Sequence, residues 1–289
     1  MRQGDGLEEF DQCSLCLGNV DNSPRGRTKI VTGSFSGVLR IFQPGGSSYV
    51  PSDLLLEQQM PAPILQVAMG KFISGVPNTL AVLHPRTLNL YQVTRPRTAA
   101  DDEVPFLELQ LVRANDIPHT AANLCFGPFG GVPGGDSVLV QAYDGQLYIF
   151  EEGNLIQTTY LEDFLVPGPI KYVHETDSIV TCSSAFEVQS YSYKSLIQAS
   201  QTKSDALTET VGPTLSKRKT PTPQWKLLVG EMAVDLQLTG SDAQESCDDI
   251  VIVGEHTIII CSQAGVLKSQ RRLEYHPAAV VSYKCELSF

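Results

Sequence analysis

Cys13-Ser-Leu-Cys16 has the spacing of half a zinc site or of a redox dithiol. A zinc site needs two more ligands at matching spacing, and none follows nearby. If the stretch is a strand, positions 13 and 16 face opposite sides and cannot share a ligand. The seven cysteines (13, 16, 125, 182, 247, 261 and 285) are odd in number and mostly embedded in apolar runs. That is the pattern of reduced, buried thiols in a cytosolic protein. The five histidines, 84, 119, 174, 256 and 276, never fall two or four residues apart, so no local metal pair is visible. His84 and His256 sit at or near expected tight turns and are read as structural.

Glycoside hydrolysis needs two carboxylates flanking one bond. Asp235 and Glu175 are the obvious acids on strands that could line a channel, but they fall in different repeat units. Gly127-Pro-Phe-Gly-Gly-Val-Pro-Gly-Gly-Asp136 is glycine-rich. A phosphate loop would close on Gly-Lys-Ser/Thr and open a helix, whereas here an acid and a strand follow, so the loop is read as needing unusual backbone angles. No Gly-x-Ser-x-Gly elbow supports serine hydrolysis. Ser216-Lys-Arg-Lys-Thr220 is the one basic cluster, and Thr220 and Thr222 each precede proline. The choice there is between a solvated linker and a phospho-regulated tether. These residues supply no catalytic set, no cofactor site and no metal site.

The elements behind them are strands. No segment sustains the i, i+3, i+4, i+7 pattern over 12 residues. Instead five paired runs recur, at 29–42, 78–93, 136–151, 177–193 and 249–262, each a strand, a tight turn and a strand. Ser36-Gly37 and Asp144-Gly145 mark two of the turns, and Asp-Gly is expected to form a type I′ turn. Leu39, Ile41, Leu147 and Ile149 fall on matching sides of their hairpins and are expected to pack between units. A lead strand precedes each hairpin and an outer strand follows it. Four-stranded units at a period near 50 residues are the signature of a β-propeller.

The expected architecture is therefore all-β, a single domain over 1–289 with blades at about 13–60, 63–113, 121–161, 169–230 and 231–275. A mobile surface insertion is expected at 195–223, and a sixth blade is expected to begin at 278–284. Five units are present, so the chain is either a five-bladed ring closed by Ala279–Tyr283 or an incomplete larger ring. Trp225 is expected to anchor blade packing, and as the single tryptophan it cannot supply a WD-type repeat.

The net charge of −11 argues against binding a phosphate backbone. No run of 18 apolar residues is present, so no transmembrane segment is expected. The opening MRQGDGLEEFD lacks the apolar core of a secretory signal.

Glu9-Phe-Asp-Gln12, Cys16-Leu-Gly-Asn-Val-Asp21, Val31–Phe42, Asp53–Glu57, Pro63–Gly75, Leu80–His84, Gly127–Val132 and Leu165–Ile170 form an ordered series. That series resembles the amino-terminal region of the Bardet-Biedl syndrome 9 family of BBSome subunits, in register from about residue 8 to about 275. The resemblance implies a seven-bladed propeller, within which this chain stops as a fragment or shortened form. It implies a non-enzymatic scaffold of the BBSome, a coat-like complex serving ciliary membrane-protein traffic and cilium assembly. Implied partners are the other BBSome subunits and, indirectly, ciliary cargo, intraflagellar transport and an Arf-like small GTPase. Implied locations are the cytoplasm, the cilium and its membrane, and the basal body and centriolar satellites. The rival readings are a propeller hydrolase using Asp235 and a generic propeller adaptor. For a scaffold, exposed anchors are expected in loops at Tyr49, Phe164 and Phe186.

Overall fold

The computed structural model describes residues 8–24, 26–96, 106–131, 134–161, 167–201, 220–239 and 249–282. Among the described residues twenty strands assemble into five four-stranded sheets, each of consecutive strands in chain order. The first sheet holds β1 (Leu15–Gly18), β2 (Lys29–Gly33), β3 (Val38–Phe42) and β4 (Leu54–Gln59). The second holds β5 (Gln66–Gly70), β6 (Thr79–Leu83), β7 (Thr87–Thr94) and β8 (Glu108–Asp116). In the third are β9 (Ala121–Gly127), β10 (Ser137–Ala142), β11 (Gln146–Glu151) and β12 (Asn154–Tyr160). The fourth is β13 (Ile170–Val173), β14 (Ser178–Cys182), β15 (Glu187–Ser192) and β16 (Trp225–Leu228). The fifth is β17 (Ala233–Leu238), β18 (Asp249–Gly254), β19 (Thr257–Ser262) and β20 (Leu267–Arg272). The chain is all-β, built of the antiparallel sheets that propellers use as blades.

The period-2 geometry of a strand explains the cores. In the fourth sheet Ile170, Tyr172, Ile179 and Tyr191 face a cluster shared with Leu139, Leu147 and Ile149 of the third. Val173, Val180, Cys182 and Val188 face the opposite way, into a cluster shared with Leu236, Ile250, Ile252 and Ile259 of the fifth. Both faces of one sheet are thus buried, which is why β14 is apolar or small at every position and buried throughout. The first and second sheets share a third cluster, in which Val31, Leu39 and Ile41 meet Ile64, Val67, Leu80 and Tyr91. Leu39, Ile41, Leu147 and Ile149 therefore pack between sheets as their alternation requires.

The chain forms two compact units, one of Met1–Leu124, Pro133–Val138 and Phe150–Leu155, the other of Cys125–Val132, Leu139–Ile149 and Ile156–Phe289. The first contains a buried ion pair: Lys29 Nζ lies 2.5 Å from Asp21, and both side chains are fully buried. Burial alone raises the Asp21 carboxyl, but the Lys29 hydrogen bond and charge outweigh it and hold the group below its ordinary value.

Two expectations need correction. The insertion expected as a mobile loop from 195 begins as a helix, α1 (Tyr193–Gln201). Its Leu196 is fully buried, and its carbonyls at 196 and 197 accept hydrogen bonds from Thr159 Oγ1 (2.8 Å) and Gln157 Nε2 (3.1 Å) of β12. Residues 202–219 lie outside the described residues. The Asp144-Gly145 turn is not type I′, because Gly145 has φ +79° but Asp144 does not take positive φ. Gly145 N donates to Ala142 O (3.2 Å), giving a three-residue hairpin loop with one left-handed residue at its end.

Candidate functional site

The same loop recurs between the second and third strands of other sheets. Gly37 N donates to Ser34 O (2.9 Å) and takes φ +83°. In the fourth sheet Phe186 N donates to Ser183 O (3.1 Å) and Ser183 N to Glu187 O (2.8 Å). Phe186 occupies the place held by Gly37 and Gly145, and its φ is +59°. A Cβ in the left-handed region costs on the order of 1–2 kcal/mol, and such strain persists only where surrounding bonds enforce it. Here the enforcing bonds run from Val229 N (2.9 Å) and Gly230 N (3.3 Å) to Phe186 O.

The strained residue presents an aromatic ring that is 49% exposed. Its chain neighbour Glu187 pairs with Leu228 of the outer strand, and Leu228 is 69% exposed. Lys226 forms a salt bridge to Glu187 (3.2 Å) on the same pair of strands. The end of the fourth sheet thus carries two large apolar side chains on a rigid, hydrogen-bonded frame with a charged rim. That arrangement suits a protein contact.

The other expected anchors fare differently. Tyr49 is 65% exposed and meets the Phe42 ring edge-on at 6.2 Å. Phe164 lies outside the described residues, as do Ser216 to Lys219, Cys247 and Cys285. Trp225 is structural: Nε1 donates to Gln263 O (2.8 Å), and its ring packs against the fourth–fifth core. Thr220 and Thr222 lie between the insertion and β16, in no regular element.

The acids do not behave as a catalytic pair. Asp235 is buried, and its carboxylate accepts from Leu236 N (2.8 Å) and Val280 N (2.9 Å). Ser282 Oγ donates to Leu238 O (2.9 Å), so residues 280–282 are laid along β17. Asp235 thereby receives the chain that follows the fifth sheet. Gln66 of β5 does a related thing: its side chain exchanges two hydrogen bonds with the main chain of Leu124, the Oε1 accepting at 2.9 Å and the Nε2 donating at 3.0 Å. Glu175 is exposed and accepts from Gln263 Nε2.

Four of the thiols are chemically quiet. Burial pushes Cys16 and Cys125 up to about 12 and Cys261 up to about 11, and raises Cys182 as well. They stay protonated and poor as nucleophiles or ligands near neutral pH. The glycine-rich loop holds left-handed backbone at Gly130 and Gly131, as its composition suggests. Gly130 N donates to Asp177 Oδ1 (2.9 Å), which also accepts from Tyr172 OH (2.9 Å), so that amide faces a carboxylate of the chain itself. Gly127 has no room for a side chain, because the Tyr172 ring lies where a Cβ would stand.

Two histidine arrangements escaped the spacing of the sequence. His84 is buried with Nδ1 donating to Pro63 O (2.8 Å), while Nε2 has no hydrogen-bond partner. Burial lowers its pKa, against the opposing pull of the Pro63 and Ala62 carbonyls. His256 and His276, 20 residues apart, bring their ring centroids to 4.4 Å.

A family model described as PTHB1 N-terminal matches residues 2–288. Protein PTHB1 of Xenopus laevis is 37% identical over 281 residues, covering 96% of this chain and 32% of that protein. The Homo sapiens PTHB1 is 37% identical over 286 residues, covering 97% of this chain and 32% of its own length. The chain thus spans about a third of the curated relatives it matches. Among solved structures, BBS1N in complex with ARL6DN superposes with a TM-score of 0.51 at 12% identity, over 94% of this chain and 85% of that one. The Pan2 WD40 domain of Neurospora crassa gives a TM-score of 0.55 at 11% identity, over 92% of this chain and 68% of that one. At such identities the likeness is one of fold, and the fold is a β-propeller.

Proposed function

We propose a function from one premise: the chain belongs to the PTHB1 N-terminal family. It acts as a non-enzymatic propeller scaffold, working through protein contacts. PTHB1 and the Bardet-Biedl syndrome 9 protein are one family, so the assembly it serves is the BBSome, in the traffic of ciliary membrane proteins and in cilium assembly. The other BBSome subunits are its direct partners, and ciliary cargo and intraflagellar transport are reached through them. BBS1N is found with ARL6DN, which supports an Arf-like GTPase as a partner of the assembly, here an indirect one. The working locations are the cytoplasm, the cilium and the basal body region.

The observation that carries the reading is the family match over residues 2–288. The exposed pair Phe186 and Leu228 supplies a physical means, since a few aromatic or aliphatic anchors dominate most protein contacts. The hydrolase reading loses support because the Asp235 carboxylate is occupied by two main-chain amides. The test is affinity capture from ciliated cells with the tagged chain and with its full-length relative. Recovery of BBSome subunits with both is expected, and Phe186→Ala/Leu228→Ala should weaken it. Failure of the full-length relative to recover those subunits would sink the family-level reading; failure of the double variant to weaken capture would sink only the assigned anchors.

A further inference from the structure

His256 lies in the β18–β19 turn and His276 lies four residues beyond β20. Both are exposed. Their rings approach to 4.4 Å between centroids, with planes tilted by 55°. The frame that holds them is fixed by hydrogen bonds. Leu273 N donates to His256 O at 2.7 Å, tying the end of β20 to the turn. Glu231 secures the turn from the other side, accepting from His256 N (3.1 Å) and from Thr257 Oγ1 (2.5 Å). Beside the rings opens a cavity of about 540 Å³, bordered also by Arg272, Glu274 and Tyr275.

We propose that His256 and His276 form a two-histidine site for a divalent transition-metal ion of the zinc class. Imidazole nitrogen suits Zn²⁺, Ni²⁺ and Cu²⁺, whereas Mg²⁺ and Ca²⁺ prefer oxygen. With metal–nitrogen bonds of about 2.1 Å, two imidazoles set their centroids about 4.5 Å apart when bound cis at about 90°, as on Ni²⁺ or Cu²⁺, and about 5.2 Å apart at the tetrahedral angle of Zn²⁺. The observed 4.4 Å matches the cis separation and lies about 0.8 Å short of the tetrahedral one. Among the described residues no three histidine, cysteine, aspartate or glutamate side chains converge as a metal cluster. The site is therefore an open one, with two protein ligands and remaining positions for water or for a donor from a partner. A bound ion ties the segment after β20 to the fifth sheet, upstream of the Val280–Asp235 bond that holds the same segment further along.

The test is a calorimetric titration of the metal-stripped chain with Zn²⁺, followed by hydrogen exchange over residues 273–282. One ion per chain is expected, with a dissociation constant on the order of 10 μM and slower exchange in that segment. His256→Ala and His276→Ala should each weaken binding about tenfold or more, whereas His119→Ala should not, and Mg²⁺ should give no saturable heat. Circular dichroism shows that the variants remain folded. No saturation below about 1 mM Zn²⁺, or affinity unchanged in both histidine variants, overturns the proposal.

Discussion

Phe186 breaks a local rule that Gly37 and Gly145 obey, and residues that do so are the ones to suspect of function. Phe186→Gly should raise stability by about 1 kcal/mol, while Gly145→Ala should lower it by a similar amount. Urea midpoints of the two variants decide the matter, and a destabilised Phe186→Gly would show that the ring, not the backbone, governs the site. The glycine turns could be read in the sequence because the turn dictates the residue. Phe186 could be named only as an exposed aromatic, since nothing local announces a left-handed phenylalanine. The His256–His276 contact was hidden for another reason: the intervening residues contain two strands, β19 and β20, that fold it into being. His84 carries a pH consequence. Burial lowers its folded pKa, so the unfolded chain binds the proton first as pH falls. Its contribution is fully present above about pH 6.5 and is lost as pH drops through the lower folded value. Urea midpoints at about pH 7.5 and pH 5.5 should fall more steeply in the native chain than in His84→Gln.

At the scale of elements, the hairpins were legible because period-2 alternation and glycine turns act together within a dozen residues. Helix α1 was not. Nine residues with modest amphipathicity give little periodic signal, and the helix exists by docking. Its buried Leu196 fills the third–fourth cluster, and β12 side chains hydrogen-bond two of its carbonyls. Leu196→Ala should therefore cost about 2–5 kcal/mol, measured by chemical denaturation. A loss below about 0.5 kcal/mol, the range of surface substitutions, would mean that the helix is an ornament on the sheet. The approach of Tyr172 to Gly127 was equally out of sight, since a glycine-rich loop can be noticed without revealing which ring lies above its first glycine.

For the whole molecule, repetition made the class legible, while the sharing of cores between sheets emerges only from the packing. The charge of −11 bears on assembly. A partner face that meets it should be basic, so capture should weaken as NaCl rises from about 0.05 to about 0.5 M, mainly through slower association. Salt-independent capture in a titration series would point instead to contacts dominated by apolar anchors such as Phe186 and Leu228. Among the described residues no helix is long and apolar enough to cross a membrane.

Gln66 and Asp235 share a habit that concerns ancestry. Each side chain reaches beyond its own sheet to greet the main chain of the segment that comes next: Leu124 in one case, Val280 in the other. A repeat that carries its own receptor for a successor can be copied in tandem without inventing a new joint. Such a gene can lengthen by duplication, and its copies can drift in loop length while different side chains, a glutamine in one unit and an aspartate in another, keep hold of the segment that follows.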